Sequence, residues 1–166
     1  MAKIYWTQDL TLDYLRGLSI GKSGVGKNVF GLTWPDPVWI TFEKGLIYAK
    51  LHGIQHPVYE VENMEDVRVL FDNPRAVIEK HYGDYPAKSL IFDSVSAMGN
   101  TTGVVMDEVM KASTTKIMYP SIQEYGRVTD KMRGFFRLAS ELPYHVLILA
   151  NLYTEKDELT GRIEDK

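Results

Sequence analysis

The sequence contains no cysteine. That removes disulfides, thiol nucleophiles and cysteine-based zinc sites, and it fits a reducing compartment. It has no excess of positive charge either. Nineteen Lys and Arg stand against 22 Asp and Glu, for a formal net charge of -3. A chain-wide basic signature for nucleic acid is therefore absent, and only a local patch would serve. No apolar run approaches the roughly 20 residues that cross a bilayer, so no membrane association is expected. The opening segment MAKIYWTQDLT lacks the apolar stretch of a secretory signal and turns acidic by Asp9, so a cytoplasmic location is expected. No repeat and no low-complexity tract interrupts the chain.

What remains is an ordinary folded composition, 45% hydrophobic and 25% charged over 166 residues. That length suits a single domain, read here as residues 1–166 with a core over 15–151 and a polar tail over 152–166. Apolar runs at Val38–Phe42, Ser89–Phe92 and Val146–Ala150 predict short buried strands. Leu15–Ile20 and Val58–Val61 are weaker strand candidates, and residues 45–56 fit no single element. A short helix is expected from Lys27 to about Thr33, before Trp34 and Pro35. Glu65–His81 reads as helix, restarted at Pro74. Residues 97–120 read as a long loop region holding one short helix. Ser121–Leu142 is the strongest helix, with an apolar stripe of Tyr125, Val128, Met132, Phe135, Phe136 and Ala139. Its same-sign pairs Arg127–Lys131 and Arg133–Arg137 are mildly unfavourable and are read as solvated positions. Strands alternating with helices predict an α/β fold with a mostly parallel central sheet flanked by helices.

The segment GKSGVGKN spans Gly21 to Asn28. It fits the phosphate-loop pattern GxxxxGK[ST] at every fixed position but the last. Gly21, Lys22, Ser23, Gly24, Val25 and Gly26 would curl backbone amides around phosphate oxygens, and Lys27 would add positive charge. The competing reading is a glycine-rich turn. Asn28 stands where a hydroxyl would ligate magnesium. It is either simply tolerated there or offers a longer, neutral carbonyl oxygen that alters metal affinity and hydrolysis. The three clearest strands are each followed at once by a polar residue: Glu43, Asp93 and Asn151. Ligands of open α/β sheets sit beyond such ends. Asp93 is the candidate magnesium holder, with Ser94 beside it as a helper, and Glu43 the candidate general base. Asn151 is either a γ-phosphate sensor or a turn residue. His52 and His56 are spaced four apart without a convincing third ligand. Tyr48, Tyr59 and Tyr82 are all candidates for stacking on a base, and Trp34 and Trp39 are read as packing residues.

Together GKSGVGKN, FGLTWPDPVWITFEKGL, SLIFDSVSAM and EYGRVTDKMRGFFRLASELPYHVLILAN resemble the phage-type RecA-like P-loop ATPases, a phage nucleotide-binding family related to single-strand annealing and recombination ATPases. The resemblance implies a RecA-like sheet, ATP and Mg2+ as cofactors, and ATP hydrolysis in phage DNA recombination, annealing or replication. Lys27 would be the phosphate lysine, Asp93 the magnesium aspartate together with Asn28, and Glu43 the water-activating glutamate. Asn151 would couple the nucleotide to a DNA-facing loop. Single-stranded DNA, a second copy of the chain or a phage recombination partner is implied, in the host cytoplasm if phage-encoded. Lys111, Lys116, Lys156 and Arg162 would be candidate contacts to DNA phosphates, and Lys156 or Arg162 could complete a neighbouring subunit's site. Two departures qualify the resemblance. Asn28 replaces the family's serine or threonine, and such domains add further strands beyond the one before Asn151, so a C-terminally shortened sheet is expected. Asn28 leaves room for an alternative, a nucleotide-binding structural or regulatory subunit with little or no hydrolysis. A small-molecule kinase would need an acceptor pocket and a basic lid, and neither is marked.

Overall fold

Continuous apolar runs of five or so residues are stable as strands only when both faces of the sheet are covered. The computed structural model, which describes residues 13–42, 55–113 and 119–152 and the backbone of 154–156 and 163–165, meets that condition. Five strands form one parallel sheet: β1 (Arg16–Gly21), β2 (Pro37–Thr41), β3 (Val58–Glu60), β4 (Ser89–Asp93) and β5 (His145–Asn151). Their spatial order is β1-β5-β4-β2-β3, so β5, last in sequence, lies between the strand that enters the glycine loop and the strand that ends in Asp93.

Strand side chains alternate between faces, and the alternation sorts the core into two parts. Val38, Ile40, Leu90, Phe92, Val146 and Ile148 face the larger part. There they meet α2 (Met64–Asp72), α3 (Pro74–Tyr82), α4 (Val95–Gly99), α5 (Val104–Ala112) and α6 (Ile122–Glu141). Phe135 of α6 is the hub, with ring centroids 5.2 Å from Phe92, 5.4 Å from Phe71 and 6.2 Å from Phe42. Trp39, Ile91, Leu147 and Leu149 face the other way, with Leu32 and Trp34 packed against them. This second face is covered by α1 (Lys27–Gly31), which comes close because Gly31 has no side chain: a Cβ there would lie 2.7 Å from the Trp39 ring. Trp34 and Trp39 are thus packing residues, as expected.

The helix starts have local causes. Asn63 and Ser121 each form a capping box, with Asp66 and Glu124 respectively. Pro74 opens α3 at a position where its missing N–H costs nothing.

Several expectations need correcting. Helix α1 ends at Gly31, not Thr33. Residues 97–113 are mostly helical, not loop: Ser94 caps α4, and α5 buries Val105, Met106 and Val109. Gly103 makes the tight junction, since a Cβ there would sit 2.3 Å from the carbonyl oxygens of Ala97 and Met98. On α6 the buried stripe is Val128, Phe135 and Ala139 with Met132 at its margin, whereas Tyr125 and Phe136 are exposed. The polar tail contains an antiparallel pair, β6 (Thr154–Lys156) with β7 (Ile163–Asp165). Residues 45–54, of no assigned element, lie outside the described residues.

The like-charge pairs of α6 are partly neutralised. Arg133 donates to Asp130, and Lys131 Nζ stands 2.9 Å from Glu108 Oε2 of α5, an ion pair without the direction of a hydrogen bond. Glu108 also accepts from Arg68 of α2. Partial burial pushes the Glu108 carboxyl up, but Lys131 and Arg68 outweigh it and hold its pKa below the usual value.

Two stability measurements follow. Phe135→Ala should lose about 3–5 kcal/mol in urea unfolding followed by circular dichroism, the usual cost of emptying a buried aromatic site. Glu108 has a depressed folded pKa, so its contribution is present above the ordinary carboxylate pKa and fades as pH falls through the folded value. Glu108→Gln should therefore lower the urea midpoint slightly at neutral pH, with the difference from wild type shrinking as pH falls below the ordinary carboxylate range and gone once pH is below the depressed folded value. A difference that persisted in acid would count against the ion-pair account.

Candidate functional site

β1 runs into the loop at Gly21, and α1 starts at Lys27. Gly24 and Gly26 have φ of +82° and +93°, the left-handed region that strains residues with a side chain. At Gly21 the reason for glycine is space, because a Cβ would lie 2.9 Å from Val25 Cγ2. Lys27 is buried, and its Nζ donates to the carbonyls of Gly21 at 2.7 Å and Lys22 at 2.8 Å. The loop thereby closes into a ring around the ammonium. Those bonds use two of the three N–H donors of a lysine. Lys22, Ser23, Gly24, Val25 and Gly26 are exposed around this ring.

Strand pairing brings the other residues to it. Gly21 pairs with Asn151 in the β1–β5 register, and Leu152 N donates to Gly21 O at 3.0 Å. Asp93 is buried at the end of β4, and it shares parity with Ile91, which faces α1. Asn28, in the first turn of α1, donates from Nδ2 to Asp93 Oδ2 at 2.9 Å. Asn151 Nδ2 donates to Ser94 Oγ at 3.2 Å, and Ser94 Oγ also accepts from Ala97 N at the start of α4. Ser96 Oγ donates to Asn151 O at 3.1 Å and accepts from Asn151 N at 2.9 Å. The Asp93–Ser94 peptide bond is cis.

The structure therefore gathers the loop of residues 21–28, Asp93 and Asn151 in one place. Ser94 belongs to this network, and Ser96, which the sequence reading passed over, belongs to it too. The signal for Ser96 was present: two hydroxyl residues, spaced by two, open the helix that follows an acid-terminated strand. Glu43 lies outside the described residues; its predecessor Phe42 donates from its backbone N to Asp93 O at 3.0 Å.

The metal assignment meets a difficulty. A magnesium ion takes oxygen ligands, but what meets Asp93 Oδ2 from Asn28 is an amide N–H. The donor set as arranged does not fit Mg2+ between Asn28 and Asp93.

Other candidates fall elsewhere. Lys111 is paired with Asp107 one turn away on α5. Lys116 and Arg162 lie outside the described residues, and Lys156 is on β6 with its side chain outside them. Tyr59 and Tyr82 pack against the core at β3 and α3, where each hydroxyl donates to a backbone carbonyl, of Asp66 and Val58 respectively. Tyr48 and His52 lie outside the described residues. Of the other histidines, His81 packs edge-on against Tyr59 and His145 Nδ1 accepts from Leu15 N. No described helix is long and apolar enough to cross a membrane.

The glycine ring around a lysine, reached by a buried strand-end aspartate beside a parallel sheet, has the layout of a P-loop NTPase core. No curated protein matched the chain. A family model described as an AAA domain matches residues 13–166. On the strength of that match over nearly all of the sequence, the chain belongs to the AAA domain family, whose members are P-loop NTPases.

Proposed function

We propose that this chain binds ATP, with the phosphates in the loop of residues 21–28. The observation that carries the reading is the convergence of the glycine ring and its buried Lys27 with Asp93 and Asn151, from three separate strands, on one end of one sheet. Exposed loop amides and the remaining Lys27 donor are suited to phosphate oxygens. In the fuller form of the proposal the fold is RecA-like and the chain hydrolyses ATP in phage DNA recombination, annealing or replication. Glu43 would then activate water, and Asn151 would relay the state of the γ-phosphate through Ser94 and Ser96 to α4. A homo-oligomer or a phage recombination partner on single-stranded DNA is the corresponding assembly. The resemblance in sequence supports this fuller form, and the AAA-domain match supports its P-loop NTPase core.

One observation favours the narrower reading, in which nucleotide is bound with little or no turnover. Asn28 and Asp93 are hydrogen-bonded to each other, so Asn28 presents an amide N–H, not an oxygen, to Asp93 Oδ2. A small-molecule kinase would need an acceptor cavity beside the loop. A cavity of about 790 Å3, lined by residues such as Phe71, Ile78, Tyr85 and Tyr144, lies where β4 and β5 begin, at the end of the sheet opposite the loop.

Binding is tested with a fluorescent ATP analogue. Wild type should bind, and Lys27→Ala should weaken binding at least tenfold, about 1.4 kcal/mol, with an unchanged circular dichroism spectrum. Equal affinity in the two proteins would remove the loop from the function. Turnover is tested separately, as phosphate release with and without single-stranded DNA. Stimulation by DNA, together with DNA affinity that falls steeply with salt, is expected for the recombination role. ATP bound but not hydrolysed in either condition would leave the narrower reading standing.

A further inference from the structure

We propose that the Asn28 amide occupies, at Asp93, the position a divalent cation would otherwise take, so that this chain holds nucleoside triphosphate without depending on a metal. The inference rests on the nucleotide-binding reading above and concerns the regulation of that same site. Its basis is the 2.9 Å hydrogen bond from Asn28 Nδ2 to Asp93 Oδ2. A serine or threonine hydroxyl branches directly from Cβ. The asparagine amide is one bond longer, so from the same place on α1 it reaches across to the carboxylate. The bond is partly buried and its acceptor is a carboxyl oxygen, and hydrogen bonds to an ionised carboxylate are stronger than neutral ones.

Placing a cation between these two side chains requires two changes. The N–H must leave Asp93, and the amide must turn so that Oδ1 faces the ion. Once turned, Oδ1 and the carboxylate repel until the ion is seated. Each change subtracts from whatever the metal adds to nucleotide affinity. A serine or threonine carries no such competing donor on a branched amide, because its single hydroxyl hydrogen rotates freely away. The positive charge facing the phosphates then comes from Lys27, which the Gly21 and Lys22 carbonyls already hold in place. Ligand binding can begin with the loop alone.

The experiment measures the affinity of a fluorescent ATP analogue by anisotropy, once in excess EDTA and once in millimolar Mg2+, for wild type, Asn28→Thr and Lys27→Ala. In wild type the two dissociation constants should agree within about threefold. In Asn28→Thr the Mg2+ value should be tighter than the EDTA value by about tenfold or more, the size expected when a bond to a charged group is exchanged. Wild-type binding that strengthens tenfold or more with Mg2+ overturns the inference while leaving nucleotide binding intact. An Asn28→Thr protein as indifferent to Mg2+ as wild type overturns the role given to Asn28. No binding in either buffer, in wild type as in Lys27→Ala, overturns the nucleotide reading itself and this inference with it. The wild-type comparison decides the matter even if Asn28→Thr fails to fold.

Discussion

Backbone hydrogen bonds along β5 tie β1 to β4, and the site depends on that pairing. β5 registers Gly21 against Asn151 on one side and Phe92 against Ile148 on the other. The glycine ring and Asp93 come from strands that do not pair with each other; β5 lies between them and sets their separation in the sheet. Parallel ladders are formed by evenly spaced, slanted bonds with no freedom to slip by one residue without turning every side chain over. Since β5 is buried through its middle on both faces, such a slip would put its apolar residues in the wrong layer. The packing of Val146 and Ile148 on one face and Leu147 and Leu149 on the other is therefore what holds Asn28 within hydrogen-bond distance of Asp93.

The two faces carry different duties. The larger one is an aromatic and aliphatic core around Phe135, reinforced at its rim by Glu108 between Arg68 and Lys131. It supplies most of the burial. The smaller one, among the described residues, is the cluster of Trp39, Ile91, Leu147 and Leu149 with Leu32, Trp34 and Val58 against it, next to the five residues of α1. A helix so short has little stability of its own, and its seat comes from Gly31 against Trp39 and from the bond between Asn28 and Asp93. Among the described residues, the loop and the helix that carry the candidate chemistry thus stand on the face with the smaller buried cluster.

Much of this was readable in the sequence because it is local. The runs at 38–42, 89–92 and 146–150 announce buried strands, and the residue after each is polar by inspection. The glycine spacing and Lys27 announce the loop. Capping boxes at Asn63 with Asp66 and at Ser121 with Glu124 were equally local and went unread. What could not be read is set by contacts across long stretches of chain. Nothing local says that β5 inserts between β1 and β4, or that Asn28 meets an aspartate 65 residues away. Gly31 and Gly103 look like ordinary glycines until Trp39 and the end of α4 are seen pressing on them. Tyr125 and Phe136 satisfied the helical period yet lie outside, because the buried stripe of α6 through Val128, Phe135 and Ala139 is narrower than the pattern allows.

The setting of the two tryptophans around α1 has an optical consequence. Trp39 is buried beneath Gly31, with an indole N–H that finds no hydrogen-bond partner among the described residues, and Trp34 stands edge-on to Phe30 with centroids 6.3 Å apart. One indole is shielded from water and the other half-buried. A ligand that draws α1 toward the loop changes the surroundings of both at once. Emission from these two of the chain's three tryptophans therefore gauges the seating of α1, with no label attached to the site it reports on.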